Sequence, residues 1–324
     1  MKTNYDPKPK FIERISNLLN NNAEDIKAFF ESAKTTPKKA IRCNTLKISP
    51  DELKKRIEEK SWKIKQPFKD YPEIMIIESS LLPGELGKTK EHLLGYYYAQ
   101  EITSMMPVLA LSPKDNDIFL DCCAAPGSKT TQAAALMKNK GIIIANDLSM
   151  GRISILSANL ERLGITNTII TLHDFLQLSK KLKGLGMKFN KILVDAPCSG
   201  EGNIRLSPST YLNWSEGLLK RLSSKQKKIA EAALQLLKPG GEMIYSTCAY
   251  SPEENEEVIQ YILDNNKDKI RIEEINLPIK SREGISEWKN KKFSEELKKC
   301  CRIYHHDNDM EGFFICKIKK EEEK

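Results

Sequence analysis

No uninterrupted apolar run in the 324 residues approaches the ~20 residues that a helix needs to cross a membrane. The first apolar residues, Phe11, Ile12, Ile15, Leu18 and Leu19, are spaced as on a helix and are interrupted by charged side chains. The apolar segment of a signal peptide has no such interruptions. We therefore expect a soluble, cytoplasmic protein with no membrane partner.

Cysteine is also sparse, because eight residues in a chain of this length are too few for a disulfide scaffold. No C-x-x-C pair occurs, so we predict reduced thiols. A zinc site is the alternative, and its candidate ligands near the end of the chain are Cys300, Cys301, His305 and His306. Their spacing is not the usual one for zinc, and we predict no metal. We interpret four other cysteines as packing residues: Cys43, Cys122, Cys123 and Cys316.

The charge balance favours a polyanionic partner, but only weakly. Lysine and arginine number 52 against 44 aspartates and glutamates, for a net charge of +8. An excess of basic residues suits RNA or DNA, although a lysine-rich composition gives the same balance without any nucleic acid. Charge by itself therefore leaves the partner open.

The chain divides into two regions, which we place at residues 1–95 and 96–324. Hydrophobic spacing in the first region predicts helices at about 10–20, 23–34 and 50–60 and strands at 40–46 and 74–77. A further helix is predicted from about Tyr96 to Leu111. The first region is thus a small α/β unit.

Strands alternate with helices from residue 117 onward, which is typical of a parallel sheet covered on both faces. The predicted strands are 117–122, 141–146, 168–172, 190–195 and 241–247, with two later ones near 270–275 and 312–319. The predicted helices are 129–139, 150–163 and 217–237.

The first of these strands runs into a tight turn, "DCCAAPGSKT", at residues 121–130. The turn lacks the P-loop pattern G-x-x-x-x-G-K-[ST], so a nucleoside triphosphate is not indicated. It also lacks the dinucleotide-binding pattern G-x-G-x-x-G. Asp147 and Asp174 close the next two strands, where an acid can bind ribose hydroxyls or an adenine amino group. A nucleoside without phosphates fits this pattern, and we predict S-adenosylmethionine. Each acid alone is equally well explained as a turn former or helix cap.

Two further strands end in "DAPC" and "STC", which places Cys198 and Cys248 at neighbouring strand ends in the strand order usual for methyltransferases. Carbon 5 of a pyrimidine is scarcely nucleophilic, and a thiolate that adds at carbon 6 activates it. Asp195, three residues before Cys198, is placed to stabilise the adduct as an acid near ring nitrogen 3. The alternative is that both cysteines only pack strand ends, as most buried cysteines do.

Three segments, "DCCAAPGSKT", "VDAPCSGEGNIR" and "YSTCAYSPEENE", resemble the motifs of the RNA cytosine-5 methyltransferase family, the Sun and Fmu group. "RCNTL", "GYYYAQEITS" and "RIYHHDNDMEGFF" resemble its flanking signatures, so the resemblance covers residues 40–317. It implies a class I, Rossmann-like α/β methyltransferase domain behind a small N-terminal α/β RNA-binding unit. It also implies S-adenosylmethionine as cofactor and an RNA cytosine as target, as in the archaeal-type tRNA 5-methylcytosine methyltransferases.

The resemblance assigns roles that spacing does not. Cys248 matches the nucleophile and Cys198 the cysteine that assists product release, while Lys129 and Asp195 match residues around the target base. Gln100, Glu101 and Ser104 match residues that shape the site. The predicted cofactor-binding set is Cys123, Ala124, Ala125, Pro126, Gly127, Lys129, Asp147, Arg152, Asp174 and Asp195.

The predicted RNA contacts are less well defined. We expect Arg42 and Asn44 to help hold RNA, whose target base must leave the stack. The three tyrosines at 96–98 either stack on bases or pack between the regions, and we favour packing for at least two of them. Two departures from the family pattern, Leu206 and His305, fall where RNA contacts are expected.

Three functional interpretations remain open at this stage. We favour a monomeric enzyme that methylates tRNA, with rRNA as the alternative substrate. A methyltransferase for DNA, protein or a small molecule would have no use for two thiols at neighbouring strand ends. A noncatalytic RNA-binding assembly factor would tolerate the loss of Cys248, which is present.

Overall fold

The computed structural model describes residues 6–322. Its α-helices are α1 Pro9–Leu18, α2 Ala23–Ala33, α3 Pro50–Glu58, α4 Glu85–Lys88, α5 Lys90–Leu93, α6 Ile102–Leu111, α7 Ser128–Leu136, α8 Met150–Leu163, α9 Phe175–Gly184, α10 Thr210–Asn213, α11 Glu216–Leu236, α12 Glu256–Asn265 and α13 His305–Asn308. Short 3-10 helices cover Glu201–Asn203 and Glu295–Lys299.

The strands belong to two main sheets and one small hairpin. They are β1 Lys39–Cys43, β2 Ile64–Lys65, β3 Ile74–Ile77, β4 Tyr97–Ala99, β5 Ile118–Asp121, β6 Ile142–Asp147, β7 Thr168–Leu172, β8 Phe189–Asp195, β9 Leu237–Thr247, β10 Ile270–Glu273, β11 Arg282–Glu283, β12 Glu287–Trp288, β13 Lys291–Lys292, β14 Cys301–Ile303 and β15 Phe313–Lys320.

The large sheet has the order β11-β14-β15-β9-β8-β5-β6-β7, with β10 paired to β15. The five strands from β9 to β7 are parallel, and β15 runs antiparallel beside β9. The central strands carry near-continuous apolar runs because helices cover both of their faces. All of their carboxyl ends lie at one edge of the sheet. From β5 the chain continues to β6 and β7 on one side and then to β8 and β9 on the other, so the strand order reverses between β5 and β8. Ligands of α/β sheets bind at such a point.

The small sheet is antiparallel with the order β2-β3-β1-β4. Its last strand corrects the predicted helix 96–111, because Tyr97–Ala99 pairs with β1 and the helix begins only at Ile102. Aromatic and β-branched side chains favour a pleated, half-buried strand over a helix. Glu101 then caps α6 by accepting from the backbone N–H groups of Thr103 and Ser104. The division of the chain at residue 95 stays a prediction.

The other elements expected from the sequence are present with ends shifted by a few residues, and β7, α8 and β3 match their predicted ranges. The first two helices, however, pack on the large sheet's side of the molecule. Phe11 of α1 lies edge-on to Tyr211 and Trp214, at 5.3 and 5.5 Å between ring centroids. Residues 9–33 therefore share a core with the second region and not with the small sheet.

Arg42 and Asn44 are buried between the two sheets, which corrects the expectation that they hold RNA. Arg42 is 3% exposed and donates to Gln100, to the carbonyl of Ser128 at 2.8 Å and to Thr131 at 2.8 Å. Asn44 donates to the carbonyls of residues 95 and 163. A buried polar side chain needs hydrogen-bond partners, and both residues find theirs across the interface. They hold the small sheet to the large one.

Two of the three tyrosines at 96–98 are buried in the protein, as the packing interpretation predicts. Tyr97 is fully buried, and Tyr98 is 8% exposed with Arg42 over its ring at 5.6 Å. Tyr96 is half-buried and lies beneath the guanidinium of Arg56.

The residues of the alternative zinc site do not converge. Cys300 and Cys301 belong to the cores on opposite faces of the sheet. His305, expected near RNA, is fully buried: Nδ1 is 2.6 Å from the hydroxyl of Tyr250 and Nε2 is 2.8 Å from the carbonyl of Phe29. Among residues 6–322, no group of three or more His, Cys, Asp or Glu could hold a metal ion, and no helix is long and apolar enough to span a membrane.

Candidate active site

The carboxyl ends of β8 and β9 lie side by side, with Asp195 paired to Ser246. Each strand continues into a turn that carries a cysteine, and the sulfur atoms of Cys198 and Cys248 are 3.0 Å apart. Both are free thiols. The two thiols, predicted to lie at neighbouring strand ends, thus line one cavity.

The turn after β8 is held by a buried glutamate that the sequence analysis did not single out. Oε2 of Glu254 accepts from the backbone N–H of Ser199 at 2.9 Å and from Nε2 of Gln226 at 2.8 Å. Gln226 also donates to the carbonyl of Pro197. Burial raises the pKa of Glu254 to about 7. This network fixes the backbone on both sides of Cys198.

The surroundings of Cys198 oppose the ionisation of its thiol. The hydrogen bond with Cys248 and burial raise the pKa of the Cys198 thiol well above its ordinary value, and the charge of Glu254 acts in the same direction. Because the charged form of a thiol is disfavoured in such surroundings, Cys198 holds its proton at neutral pH.

Lys129 and Asp195 form an ion pair at the end of β8. The ammonium of Lys129 donates to Oδ2 of Asp195 at 2.7 Å and to Oγ of Ser104 at 2.9 Å. Ser246 donates to Oδ1 of Asp195 at 2.9 Å. The ammonium also lies 5.2 Å from the ring centre of Phe313. Charged hydrogen bonds of this kind hold both side chains in one orientation.

One cavity of about 400 Å³, which we call the strand-end cavity, lies beyond β5, β6, β7 and β8. Asp147 closes β6 inside it and accepts from the backbone N–H groups of Ala125 at 3.3 Å and Ser149 at 3.1 Å. Arg152 lies 3.2 Å from the same carboxylate. Asp174 caps α9 with one oxygen, so its other oxygen is left for a ligand.

The turn that opens this cavity requires glycine at position 127. Its φ of +102° is one that other residues rarely adopt, and a Cβ there would meet Leu156 at 2.8 Å. The turn therefore packs close to α8, and Cys122, Cys123 and Ala125 before it line the cavity.

The strand-end cavity fits a phosphate-free, positively charged nucleoside. Three carboxylates, those of Asp147, Asp174 and Asp195, line its wall after three strand ends. Acids at these positions can accept from ribose and adenine groups, and their charge favours a sulfonium. The residues present thus fit S-adenosylmethionine.

A second cavity of about 510 Å³, which we call the interdomain cavity, lies between β4, α6 and α7 and the ends of β8 and β9. Gln100, Glu101, Ser104 and Lys129 line it, as does the exposed Leu206. The two cavities meet, and the residues that line both are Cys123, Ala125, Arg152, Asp195, Ala196, Asn203 and Cys248. Cys198 lines the strand-end cavity.

Some residues of the interdomain cavity were missed as candidates. Phe313 and Glu311 lie at the start of β15 and were noted only as part of the segment "DMEGFF". Asn203 follows the turn after Cys198. Gly312 and the two phenylalanines after it were a signal for a close approach of backbones. The residues that they contact cannot be read from the local sequence.

Two protein-family descriptions match this chain. A model described as 16S rRNA methyltransferase RsmB/F matches residues 108–319. The N-terminal domain of 16S rRNA methyltransferase RsmF matches residues 8–102. The chain belongs to this family of S-adenosylmethionine-dependent RNA cytosine-5 methyltransferases.

Relatives within the family carry two different substrate names. The tRNA (cytosine(49)-C(5))-methyltransferase of Pyrococcus abyssi is 39% identical over 311 residues, which are 96% of this chain and 96% of that protein. The ribosomal RNA small subunit methyltransferase F of Vibrio parahaemolyticus is 38% identical over 316 residues. That match includes 96% of this chain but only 62% of the Vibrio protein.

Solved structures confirm the α/β methyltransferase fold. A methyltransferase homologue from Pyrococcus horikoshii superposes with a TM-score of 0.81 at 33% identity and covers 97% of this chain and 99% of that one. A second structure, titled PH0851, has a TM-score of 0.85 at 27% identity and covers 99% of this chain and 70% of the other.

Proposed function

We propose that this protein methylates carbon 5 of a cytosine in RNA, by covalent addition of Cys248 to carbon 6 of the base, and that the RNA is tRNA. The observation that carries the proposal is the position of Cys248 where the two cavities meet, 3.0 Å from Cys198. The proposal treats the strand-end cavity as the cofactor site. It treats the interdomain cavity as the site of the target base.

Each residue of the site has a distinct role in the proposed reaction. Cys248, as thiolate, forms a bond to carbon 6, and the electron pair of the 5,6 double bond moves toward carbon 5. The ion pair of Lys129 and Asp195 borders the same cavity and supplies charged hydrogen bonds to the base as its electron density rises. Asp147, Asp174, Cys123 and Ala125 would hold S-adenosylmethionine, which would supply the methyl group for carbon 5 and leave as S-adenosylhomocysteine.

Product release needs a proton to leave carbon 5 before the bond between Cys248 and carbon 6 breaks. The hydrogen bond with Cys248 is the largest cause of the raised pKa of Cys198. Once Cys248 is joined to carbon 6, its sulfur is a thioether and a weaker hydrogen-bond partner, so the thiol of Cys198 becomes easier to ionise. Cys198 first releases its own proton to solvent, and the resulting thiolate accepts the proton from carbon 5. Loss of the carbon 5 proton restores the 5,6 double bond and expels Cys248 as thiolate.

tRNA is favoured over rRNA by the extent of the match. Nearly the whole length of the Pyrococcus abyssi protein, named for cytosine 49 of tRNA, has a counterpart in this chain. The parts of the archaeal protein that would handle tRNA are thus available here, while rRNA stays the alternative.

The test is bisulfite sequencing of total RNA from cells with and without the gene. We expect one or more tRNA cytosines to lose methylation in the deletion strain, and purified protein with S-adenosylmethionine to restore it. Loss confined to rRNA would replace tRNA by rRNA as the substrate. Unchanged methylation in both RNA classes, with no methyl transfer by the purified protein, would contradict the proposal.

A further inference from the structure

Glu311 is a buried carboxyl in the wall of the interdomain cavity, and the reaction scheme above does not use it. Its side chain is 1% exposed. Within residues 6–322, neither of its carboxyl oxygens has a hydrogen-bond partner of standard geometry. A buried polar group without partners is costly, and such groups are found where a ligand completes the bonding.

Backbone contacts tie Glu311 to the nucleophile. The N–H of Gly202 donates to the carbonyl of Cys248 at 2.8 Å, and the N–H of Gly312 donates to the carbonyl of Gly202 at 2.9 Å. A Cβ on Gly202 would meet the Gly312 carbonyl at 2.2 Å, and a Cβ on Gly312 would meet the Tyr250 hydroxyl at 2.0 Å. These close approaches hold the segment that carries Glu311 against the turn after Cys248.

A second carboxyl, Glu101, lies next to Glu311 but has a full set of donors. Oε2 of Glu101 accepts from Thr103 and Ser104, and Oε1 accepts from the backbone N–H of Glu311 at 3.2 Å. Glu101 thus caps the start of α6. Of the two neighbouring acids, Glu311 is the one whose carboxyl oxygens have no hydrogen-bond partner of standard geometry among residues 6–322.

The surroundings keep Glu311 neutral over most of the physiological range. Burial raises its pKa to about 8, and the charge of Glu101 adds to this, while Arg205 and the backbone N–H of Leu206 act in the opposite direction. Arg205 is committed elsewhere, to Asp309, to Thr35 and to the carbonyl of Met310. The other ionisable groups that line this cavity are Tyr98, Asp121, Cys123, Lys129, Arg152, Asp195 and Cys248, and Tyr250 lies behind Gly312. Burial raises the pKa of Asp121 to about 7.

We propose that Glu311, as a neutral acid, hydrogen-bonds the polar edge of the pyrimidine that enters the interdomain cavity. A protonated carboxyl presents one O–H donor beside one carbonyl acceptor. Cytosine presents an acceptor, N3, beside a donor, the N4 amino group, so the two patterns are complementary. The inference rests on the proposed function, because it requires an RNA base in this cavity.

Two substitutions separate base binding from a structural role. Glu311→Gln keeps the volume and the donor–acceptor pair but cannot ionise. Glu311→Met keeps the approximate volume and removes both hydrogen-bonding groups. Glu31→Gln serves as the matched control, because the side chain of Glu31 is 63% exposed on α2.

The first measurement is methyl transfer to the RNA that bisulfite sequencing identifies, with KM for RNA followed from pH 6.5 to about 9. We expect the wild-type KM to rise as pH increases through about 8, because Glu311 ionises and loses its donor. Glu311→Gln should lack this rise. Glu311→Met should raise KM by ~5- to 100-fold at pH 7, the range for a lost hydrogen bond in a buried site.

The second measurement, thermal unfolding without RNA, tests the ionisation by itself. The folded pKa of about 8 lies above the ordinary value of 4.5, so wild-type stability falls as pH rises from about 4.5 to about 8 and levels off above that. Glu311→Gln should therefore gain on the wild type across this range, and Glu31→Gln should not.

Opposite results overturn the inference. Superimposable KM profiles for wild type and Glu311→Gln, or a folded Glu311→Met enzyme with wild-type KM, would make Glu311 a structural residue only. A failure of Glu311→Met to fold leaves the Glu311→Gln profile to decide. A wild-type protein that methylates no RNA would instead contradict the proposed function, and only then would this inference fall with it.

Discussion

The two cavities that meet at Cys248 are built in different ways. Most residues that line the strand-end cavity lie at or directly after the end of a parallel strand, at positions 122, 123, 125, 146–148, 173–176, 195–198 and 200. The interdomain cavity is lined by residues 98–101, 103, 104, 121, 123–126, 128, 129, 152, 195, 196, 203, 206, 207, 248, 311 and 313, which come from both sheets and from the helices and turns between them. The proposed cofactor site follows from local strand-to-turn motifs. The proposed site for the base requires that the two sheets dock.

The largest expected effect is at the shared wall. Cys248→Ala should lower methyl transfer by ~10⁴-fold or more, since no other group can make the bond to carbon 6. Cys198→Ala should still form the covalent adduct and then stall, because Cys198 lines the cofactor side and acts on release. A denaturing gel should show a protein band shifted by bound RNA for Cys198→Ala and none for Cys248→Ala or the double variant.

The reverse pattern, an adduct in Cys248→Ala and none in Cys198→Ala, would exchange the two roles. Full activity in both variants would return the cysteines to packing residues. It would also remove the reason for assigning the interdomain cavity to a pyrimidine.

The next effect concerns the docking that creates the interdomain cavity. Arg42→Ala should lower the free energy of unfolding by ~2–4 kcal/mol, because it leaves buried acceptors at Gln100 and Ser128 without their charged donor. Urea titration measures this. Arg56→Ala is the control, because Arg56 of α3 makes an exposed ion pair with Glu52, and exposed ion pairs contribute little to stability.

RNA affinity distinguishes docking from contact at Arg42. If the folded Arg42→Ala protein keeps its stability and loses RNA affinity, the residue is an RNA contact after all and the assignment to the interface is wrong.

A smaller effect is expected in the strand-end cavity. Asp147→Ala should weaken S-adenosylmethionine binding by ~1–3 kcal/mol, the usual loss for a hydrogen bond to a charged group, with the fold intact. Isothermal titration calorimetry measures it, and Asp115→Ala, which changes a surface ion pair with Lys138 and Lys140, serves as control. Unchanged affinity in a folded Asp147→Ala protein would remove the ribose assignment.

The smallest effect is a pH dependence outside both cavities. Asp25 of α2 accepts from both Nη atoms of Arg282, and this bonding lowers the pKa of Asp25 to about 2. A lowered acid pKa means that the stabilisation is complete above the ordinary value of 3.8 and is lost as pH falls toward 2. The stability gap between wild type and Asp25→Asn should thus narrow between pH 4 and 2.

Urea unfolding at pH 5 and pH 3 checks the gap, with Asp70→Asn at an exposed loop position as control. A gap that is equal at both values of pH would show that the bonds of Asp25 to Arg282 do not depend on its charge.

Much of the strand-end cavity could be predicted from the sequence. Asp147, Asp174 and the turn at 123–127 were placed correctly at the ends of their strands, because strand periodicity and turn residues are local signals. Their roles as cofactor ligands stay predictions. Arg42 and Asn44 were misplaced because a charged or amide side chain on a strand looks the same whether it faces RNA or another sheet.

The sequence by itself determined the alternation of strands and helices, the position of each acid and thiol at a strand end, and the motifs that resemble the family. Only the tertiary structure decided that Lys129 pairs with Asp195, that Tyr97–Ala99 joins the small sheet, and that Glu311 lies beside Glu101 in the interdomain cavity. The physical reason is range. Periodicity, capping and turn chemistry act over a few residues, whereas burial and partner choice depend on segments up to 281 residues apart.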